Sequence, residues 1–336
     1  MLKIFAVNCL VVLFLQPFFG SVGYAKPIKL KAQNGEIRYR SEFPVSGIVN
    51  LPDNNLLIWN WQGKAQVLTI PGKLSAVFKL PSNVDLGQQV ELLNIIPDTG
   101  GFLINARIDQ KSVVLLSDKN GKLIEQWYLP SVLSLSSEQG VRKAYTNEGV
   151  FRLNEKGLTE HVGFSFRING SIKVFTDKKI LCTEGDLSKL NQRPIVCKKL
   201  VDSAKDFQVF GTLAFPPVCA ESLLIWGVGK QEHSLVIYAL ENGKKVSEKS
   251  FSTGSYPKLV CDSQTNSLLV GNNGIEIYTI PGLKKTWSYP LKKGKVVTNI
   301  ALLEKFIAIE EEDAGEVDSV VSDIVLVPLP RIFPYN

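Results

Sequence analysis

The chain has 336 residues, of which 45% are hydrophobic and 21% are charged, with a formal net charge of +6 at pH 7. This charge is small for the length, and the Lys-Lys pairs are scattered along the sequence. A nucleic-acid-binding protein concentrates basic charge on one patch or helix, so we expect no nucleic-acid partner.

The first 25 residues have the layout of a cleaved secretory signal peptide. Lys3 is their only charge, residues 4–19 are nearly all apolar, and Gly23-Tyr24-Ala25 places small residues at positions −3 and −1 of a cleavage site. The alternative is an uncleaved membrane anchor, but the apolar stretch is short for a span of about 20 residues and contains Pro17. We therefore predict a signal peptide at 1–25, a secreted or periplasmic location, and no transmembrane segment after cleavage.

An isolated strand is predicted near the N-terminus, within residues 35–44. Ile37 and Tyr39 alternate there with Glu36 and Arg38, which is the pattern of a half-buried strand. No similar strand follows it directly, so its partner must come from elsewhere in the chain.

Internal repeats fill most of residues 26–336, which we predict to be one domain. The tetrapeptide TIPG occurs at 69–72 and again at 279–282, within longer segments of similar pattern. Each segment consists of short runs rich in Val, Ile and Leu between turns of Gly, Asn, Asp or Pro, as expected for strands. Runs such as LLIW are apolar at every position, which favours sheets buried on both faces. The segments that fit this frame are 54–81, 100–130, 221–251 and 266–291.

The second strand of each repeat provides a marker of the spacing. Seven markers are found, 30 to 48 residues apart: Leu56, Phe102, Val150, Ile180, Leu223, Leu268 and Phe306. Most of these intervals match the roughly 40–50 residues of a four-stranded propeller blade. The layout therefore resembles the β-propeller class, although neither a WD dipeptide with its Gly-His partner nor a Kelch double glycine is present. The resemblance implies an all-β, seven-bladed β-propeller, with blade boundaries least defined over 131–212.

The resemblance also gives the isolated N-terminal strand a place. The last repeat supplies only three strands, the third at about 322–328, and the proline-rich end cannot supply a clean fourth. We predict that the N-terminal strand is the outer strand of this last blade, which closes the ring and removes an open sheet edge.

TIPG is predicted to mark the turn after the third strand of a blade. Proline fixes φ near −65° and glycine readily adopts a positive φ, so Pro281-Gly282 favours a type II turn. The same corner would recur in the first and sixth blades.

Four cysteines follow the predicted signal peptide, and an even number in an exported chain favours disulfides. The absence of a CxxC pair argues against structural zinc. Cys182 and Cys197 are predicted to face each other across neighbouring strands. Cys219 and Cys261 are predicted on the innermost strands of consecutive blades, where they either form a second disulfide or remain buried thiols.

Four of the five tryptophans fall at equivalent repeat positions. Trp59 matches Trp226, and Trp127 matches Trp287, so we interpret these four as packing between blades. Trp61 has no equivalent, and it is our candidate for an aromatic contact on the rim.

Residues 310–323 carry seven carboxylates, which we interpret as a solvated acidic hairpin. Asp313, Glu316 and Asp318 around Gly315 loosely approach a calcium loop, but the spacing matches no standard one. Calcium binding at 310–323 is thus a minor alternative, and no other cofactor is predicted. The same three acids are candidates for rim contacts.

No catalytic constellation is recognisable in the sequence. His161 and His233 each follow a glutamate, and neither accompanies a nucleophile motif. Asn169 begins an N-x-Ser sequon that matters only in a eukaryotic source. We expect a non-catalytic binding or scaffold module for a protein or another envelope partner.

The alternative function is a periplasmic enzyme with its site in the central channel, such as a quinone-cofactor oxidoreductase, a lactonase or a lyase. Polar groups with perturbed pKa values at the channel mouth would favour the enzyme. An apolar patch on the rim would favour the binding module.

Overall fold

The structure is a computed structural model, and it describes residues 29–30, 35–51, 54–70, 73–75, 77–81, 90–108, 111–138, 140–146, 148–156, 159–163, 171–175, 180–184, 194–199, 206–228, 233–251, 257–314 and 322–330. These residues contain 30 strands and no α-helix. The strands coincide with short Val-, Ile- and Leu-rich runs between turn residues, as their β propensity dictates. The predicted signal peptide and Asn169 lie outside the described residues.

The described strands form seven antiparallel sheets, which we number in chain order. Sheet 1 contains β3 (Gly47–Leu51), β4 (Asn55–Trp59), β5 (Lys64–Thr69), β6 (Lys73–Leu74) and β7 (Phe78–Lys79). Sheet 2 contains β8 (Glu91–Asp98), β9 (Gly101–Ile108), β10 (Lys111–Asp118) and β11 (Leu123–Leu129). Sheet 3 contains β12 (Val132–Glu138), β13 (Val141–Thr146), β14 (Gly149–Leu153) and β15 (Thr159–Gly163). Sheet 4 contains β16 (Ser171–Phe175), β17 (Ile180–Glu184), β18 (Pro194–Lys199) and β19 (Phe207–Phe210).

The remaining three sheets follow the same plan. Sheet 5 contains β20 (Thr212–Cys219), β21 (Ser222–Val228), β22 (His233–Ala239) and β23 (Lys245–Phe251). Sheet 6 contains β24 (Lys258–Asp262), β25 (Ser267–Gly271), β26 (Gly274–Thr279) and β27 (Lys284–Pro290). Sheet 7 contains β28 (Lys295–Leu302), β29 (Phe306–Asp313) and β30 (Asp323–Pro328), followed outward by β2 (Ile37–Arg40) and β1 (Lys29–Leu30).

The first strands of neighbouring sheets lie side by side. Their contacts run from β3 through β8, β12, β16, β20, β24 and β28, and return to β3. The chain therefore forms an all-β propeller, with the first strand of each sheet nearest the common axis.

The N-terminal strand completes sheet 7, as predicted. Ile37 pairs with Leu326 and Tyr39 pairs with Ile324, so β2 forms the fourth strand on the free edge of β30. Tyr39 and Phe43 are almost wholly buried against the cluster that sheet 7 shares with sheet 1. The two ends of the chain thus close the ring together.

The core lies between sheets rather than within one. Trp59 of sheet 1 packs into a cluster with residues of sheet 2, and Trp226 of sheet 5 packs with residues of sheet 6. Both indoles are at least 95% buried, in agreement with the predicted packing role. Gly47 makes room for one of them, because a Cβ atom at this position would lie 2.7 Å from the Trp59 ring.

Two details of the repeat differ from the prediction. Val150 lies in β14, the third strand of sheet 3, and the second strand is β13. With this correction, second strands begin 39 to 46 residues apart, and the apparently short repeat disappears. TIPG does follow a third strand, but the predicted type II turn is wrong at the second copy, since Leu283 and not Gly282 has the positive φ.

Both predicted cysteine pairs lie at disulfide distance. Cys182 and Cys197 are direct partners on β17 and β18, with Cα atoms 4.1 Å apart. Cys219 and Cys261 lie on the innermost strands of sheets 5 and 6, with Cα atoms 5.3 Å apart. The second pair would therefore join two neighbouring sheets covalently.

We expect both bonds to form when the protein is made in an oxidising compartment. Non-reducing peptide mapping should then recover the two linked peptide pairs, and the double variant Cys182→Ala/Cys197→Ala should lose about 3 kcal/mol of unfolding free energy, the entropy of a 15-residue loop. Free thiol at Cys182, or its linkage to Cys219, would contradict the pairing.

Candidate protein-binding face

One face of the ring carries the turns between second and third strands, and we call it the upper face. Because the strands of each sheet alternate in direction, these turns lie at the edge opposite to the first-to-second turns. Trp61 lies in such a turn of sheet 1, and Asp313 lies at the start of the equivalent turn of sheet 7. The fold therefore places these two predicted rim residues on the same face of neighbouring sheets.

The backbone of Trp61 is fixed while its side chain projects outward. Its N–H donates to Ser46 Oγ (3.0 Å), and its carbonyl accepts from the N–H of Leu92 on sheet 2 (3.3 Å). Within the turn, Asn60 Oδ1 accepts the N–H groups of Gln62 and Lys64. The indole itself is 47% exposed, so an aromatic surface projects from a backbone that is held in place.

Leu93 adds a second exposed apolar side chain beside Trp61. The register of β8 shifts between Leu92 and Asn94, and Leu93 at this irregularity is 40% exposed. The backbone N–H of the adjacent residue Leu92 donates to the carbonyl of Trp61, so Trp61 and Leu93 lie on either side of the seam between sheets 1 and 2. We call Trp61 and Leu93 the apolar rim patch.

A polar border adjoins this patch. Glu91, two residues before Leu93, forms an ion pair with Arg107 at 2.6 Å, and both side chains are nearly half exposed. An exposed aromatic–aliphatic pair bordered by charged groups has the composition of a protein contact surface.

The acidic segment of sheet 7 differs from the predicted solvated hairpin. Glu310 and Glu311 lie within β29 and are 98–100% buried, because the neighbouring sheets 6 and 1 cover both faces of this strand. Asp313 is solvated and pairs with Lys295 at 2.9 Å. Glu316 and Asp318 lie outside the described residues, so their roles stay predictions.

Glu311 belongs to a buried polar cluster that holds the closing strand. Arg38 donates to both of its oxygens, at 2.6 and 3.3 Å, and also pairs with Glu36 at 3.2 Å. The hydroxyl of Tyr289, from sheet 6, donates to Glu36. Burial, then this hydrogen bond, raises the pKa of Tyr289. The cluster therefore ties β2 to both sheet 7 and sheet 6.

The side chain of Glu310 points to the face of β29 opposite to that of Glu311. Among the described residues, no cationic side chain lies within hydrogen-bonding distance of its carboxylate. Asn299 donates to its Oε2 at 2.5 Å. Burial raises the pKa of Glu310, and hydrogen bonds from Ser322 and Asn299 offset only part of that rise. Burial and the nearby Glu310 also raise the pKa of Glu312.

The described residues contain no group of three or more His, Cys, Asp or Glu side chains arranged to hold a metal ion. None of the described segments forms a helix of the length and apolarity needed to cross a bilayer. His161 and His233 lie on β15 and β22, and their side chains lie outside the described atoms.

The comparisons with known proteins concern the fold. No family model matches the chain, and no curated protein matches it in sequence. A chain of a mitotic checkpoint complex structure is 13% identical, covers 90% of this chain and 99% of its own length, and gives a TM-score of 0.55. The Pan2 WD40 domain of Neurospora crassa is 12% identical, and the match covers 86% of this chain and 90% of that domain with a TM-score of 0.52. BamB from Moraxella catarrhalis is 13% identical, and the match covers 90% of this chain and 96% of BamB with a TM-score of 0.49. At these identities, the two structures with TM-scores above 0.5 show a propeller fold alone, and the fold does not determine an activity.

Proposed function

We propose that this protein is an exported, non-catalytic propeller that binds a protein partner through the apolar rim patch on its upper face. The observation that carries the proposal is Trp61, which is half exposed although its backbone is anchored to both sheet 1 and sheet 2. Tryptophan is enriched among interface residues that dominate binding energy, and a backbone that is already held in place loses little entropy on binding.

The architecture proposed with this function is a seven-bladed ring preceded by a cleaved signal peptide. Its support is the closed cycle of contacts among the seven first strands. The two cysteine pairs at disulfide distance are compatible with a periplasmic or extracellular location. A propeller chain of similar fold occurs in a protein assembly, the mitotic checkpoint complex.

The alternative is an enzyme with its site in the central channel. The acids with raised pKa values, Glu310 and Glu312, lie on a second strand, and Glu310 has no exposed surface. An enclosed carboxyl cannot touch a ligand in the channel, and this favours the binding module. The proposal includes no cofactor, and a calcium-dependent rise in melting temperature would instead favour a calcium site at 310–323.

The test compares three forms of the protein in pull-downs from the native envelope. We expect wild type to retain a stoichiometric partner, and Trp61→Ser/Leu93→Ser to bind it at least about tenfold more weakly, the scale of a lost hot spot. Ile124→Ser/Tyr128→Ser is the matched control, because these side chains are 58% and 52% exposed on β11, outside the patch. Equal capture of the partner by all three forms would overturn the proposal.

A further inference from the structure

The positive charge of the protein is concentrated in one part of the ring. Residues 241–294, which comprise the outer strand of sheet 5 and all of sheet 6, contain eight lysines and four carboxylates. This segment therefore carries a formal charge of +4, against +6 for the whole chain. The lysines look dispersed in the sequence, but the fold places the outer strands β23 and β27 on adjacent sheets.

Acidic residues in this region are already engaged by neighbours. Glu248 pairs with Lys245, and Glu276 pairs with Lys285 at 2.9 Å. Asp262 accepts bonds from the N–H of Gln264 and the hydroxyl of Thr265 within its own turn. Among the described residues, the lysines of this region that form no ion pair are Lys244, Lys249, Lys258, Lys284, Lys292 and Lys293.

A groove of about 470 Å³ lies in this region, between the end of β23 and the outer part of sheet 6. Phe251 and Val270 contribute apolar surface to it, and Tyr289 and Pro290 line one side. This volume is in the range of roughly 300–1,000 Å³ that is typical of ligand sites. It accommodates a short chain segment and is too small for a folded domain.

The groove presents hydrogen-bond donors to an incoming group. Lys249 lines it, and its Nζ lies 5.4 Å from the centre of the Tyr278 ring and 5.9 Å from that of Phe251, which positions the ammonium group. Asn272, Asn273, Ser250 and Ser288 also line it, and their side chains are of the amide and hydroxyl types that donate hydrogen bonds.

Glu276 is the one carboxylate among the described residues that line the groove, and its acceptor capacity is used. The hydroxyl of Tyr278 donates to one oxygen and Lys285 donates to the other. Burial alone would raise the pKa of Glu276, but these two bonds lower it below its ordinary value. The carboxylate therefore stays ionised, but its charge is balanced by Lys285, so it repels an anion less than a free carboxylate would.

We propose that this groove binds an acidic peptide segment of a protein partner, at a site separate from the apolar rim patch. Ammonium, amide and hydroxyl donors match carboxylate side chains, and the exposed Lys258, Lys292 and Lys293, which lie at the same edge of sheet 6 as the groove, attract them from a distance. The concave shape with an aromatic wall fits an extended chain better than the flat surface of a membrane.

The test uses a fluorescein-labelled ten-residue peptide of alternating Glu and Ser, and a control peptide with Gln in place of Glu. Fluorescence anisotropy should show binding of the Glu peptide that weakens as salt rises, and markedly weaker binding of the Gln peptide. Lys249→Ala should weaken the Glu peptide at least about fivefold. Lys122→Ala, an exposed lysine on the turn before β11, should change its affinity less than twofold.

Further variants keep the test decisive. Asn273→Glu changes an exposed turn residue of the groove and should weaken the Glu peptide even if Lys249→Ala perturbs the fold. Trp61→Ser should leave the peptide affinity unchanged, which separates this site from the rim patch. Equal binding of both peptides, no effect of Asn273→Glu, or binding only to phosphatidylglycerol vesicles would overturn the proposal.

Discussion

Removal of residues 26–44 should lower the melting temperature by more than about 10 °C or abolish cooperative unfolding. The deletion removes Tyr39 and Phe43, whose burial contributes roughly 1.5–3 kcal/mol each. It also leaves Glu311 buried without Arg38, and breaking a buried pair in this way costs about 3–5 kcal/mol. These losses together are comparable with the whole stability of a typical protein, about 5–15 kcal/mol.

The matched control removes only residues 26–34. This shorter deletion removes the two-residue outer strand β1 but leaves β2 and its buried side chains in place, so the melting temperature should change by no more than a few degrees. Differential scanning calorimetry of the two shortened chains and the full-length protein provides the measurement. An unchanged melting temperature in the 26–44 deletion would show that β2 does not stabilise the ring.

Two neighbouring glutamates should respond in opposite ways to the same conservative change. Glu311→Gln removes the negative partner of Arg38 and should destabilise the protein by about 3 kcal/mol at pH 7. Glu310→Gln should stabilise it at the same pH, because an amide of the same shape avoids the cost of ionising a buried carboxyl, a cost that the attraction of Lys258 and the hydrogen bonds only partly offset.

The pH dependence of the Glu310 effect has a definite sign. The folded state raises the pKa of this carboxyl. The group therefore favours folding when the pH is below its pKa in the unfolded chain, and it loses this contribution as the pH rises through its pKa in the folded protein. The advantage of Glu310→Gln should therefore grow from pH 4 to pH 8 in urea unfolding curves. Destabilisation by Glu310→Gln that is equal at all pH values would show that Asn299 needs the carboxylate only as a hydrogen-bond acceptor.

Local patterns were sufficient to predict the propeller and its closure. Short apolar runs between turn residues define most second strands. Apolar and polar residues alternate over 36–39, and the last repeat lacks a fourth strand; together these two observations predicted the partner of β2. Sheet 3 was misread because β13, with the sequence VRKAYT, is polar in its first half and lacks the continuous apolar run of other second strands.

The predictions that failed depend on tertiary environment. The acidic run of 310–312 appears solvated in sequence, and only the two flanking sheets bury Glu310 and Glu311. Leu93 has no distinguishing sequence signal, since it lies in an apolar run like those of the core, and only the register shift in β8 exposes it. Trp61 breaks the repeat, which is why the sequence singled it out, and the structure shows its side chain to be exposed.

The position of the closing strand in the chain also limits when the ring can close. Arg38 and Glu311, which form a buried pair, stand 273 positions apart in the chain. The N-terminal strand is synthesised first, yet the edge of β30 that receives it is among the last segments made. Ring closure is therefore a late, non-local step that pays its loop-closure entropy at the end. Until β30 is made, residues 37–40 lack the strand with which they pair in the folded protein, and any factor that binds them in that interval would delay closure of the ring.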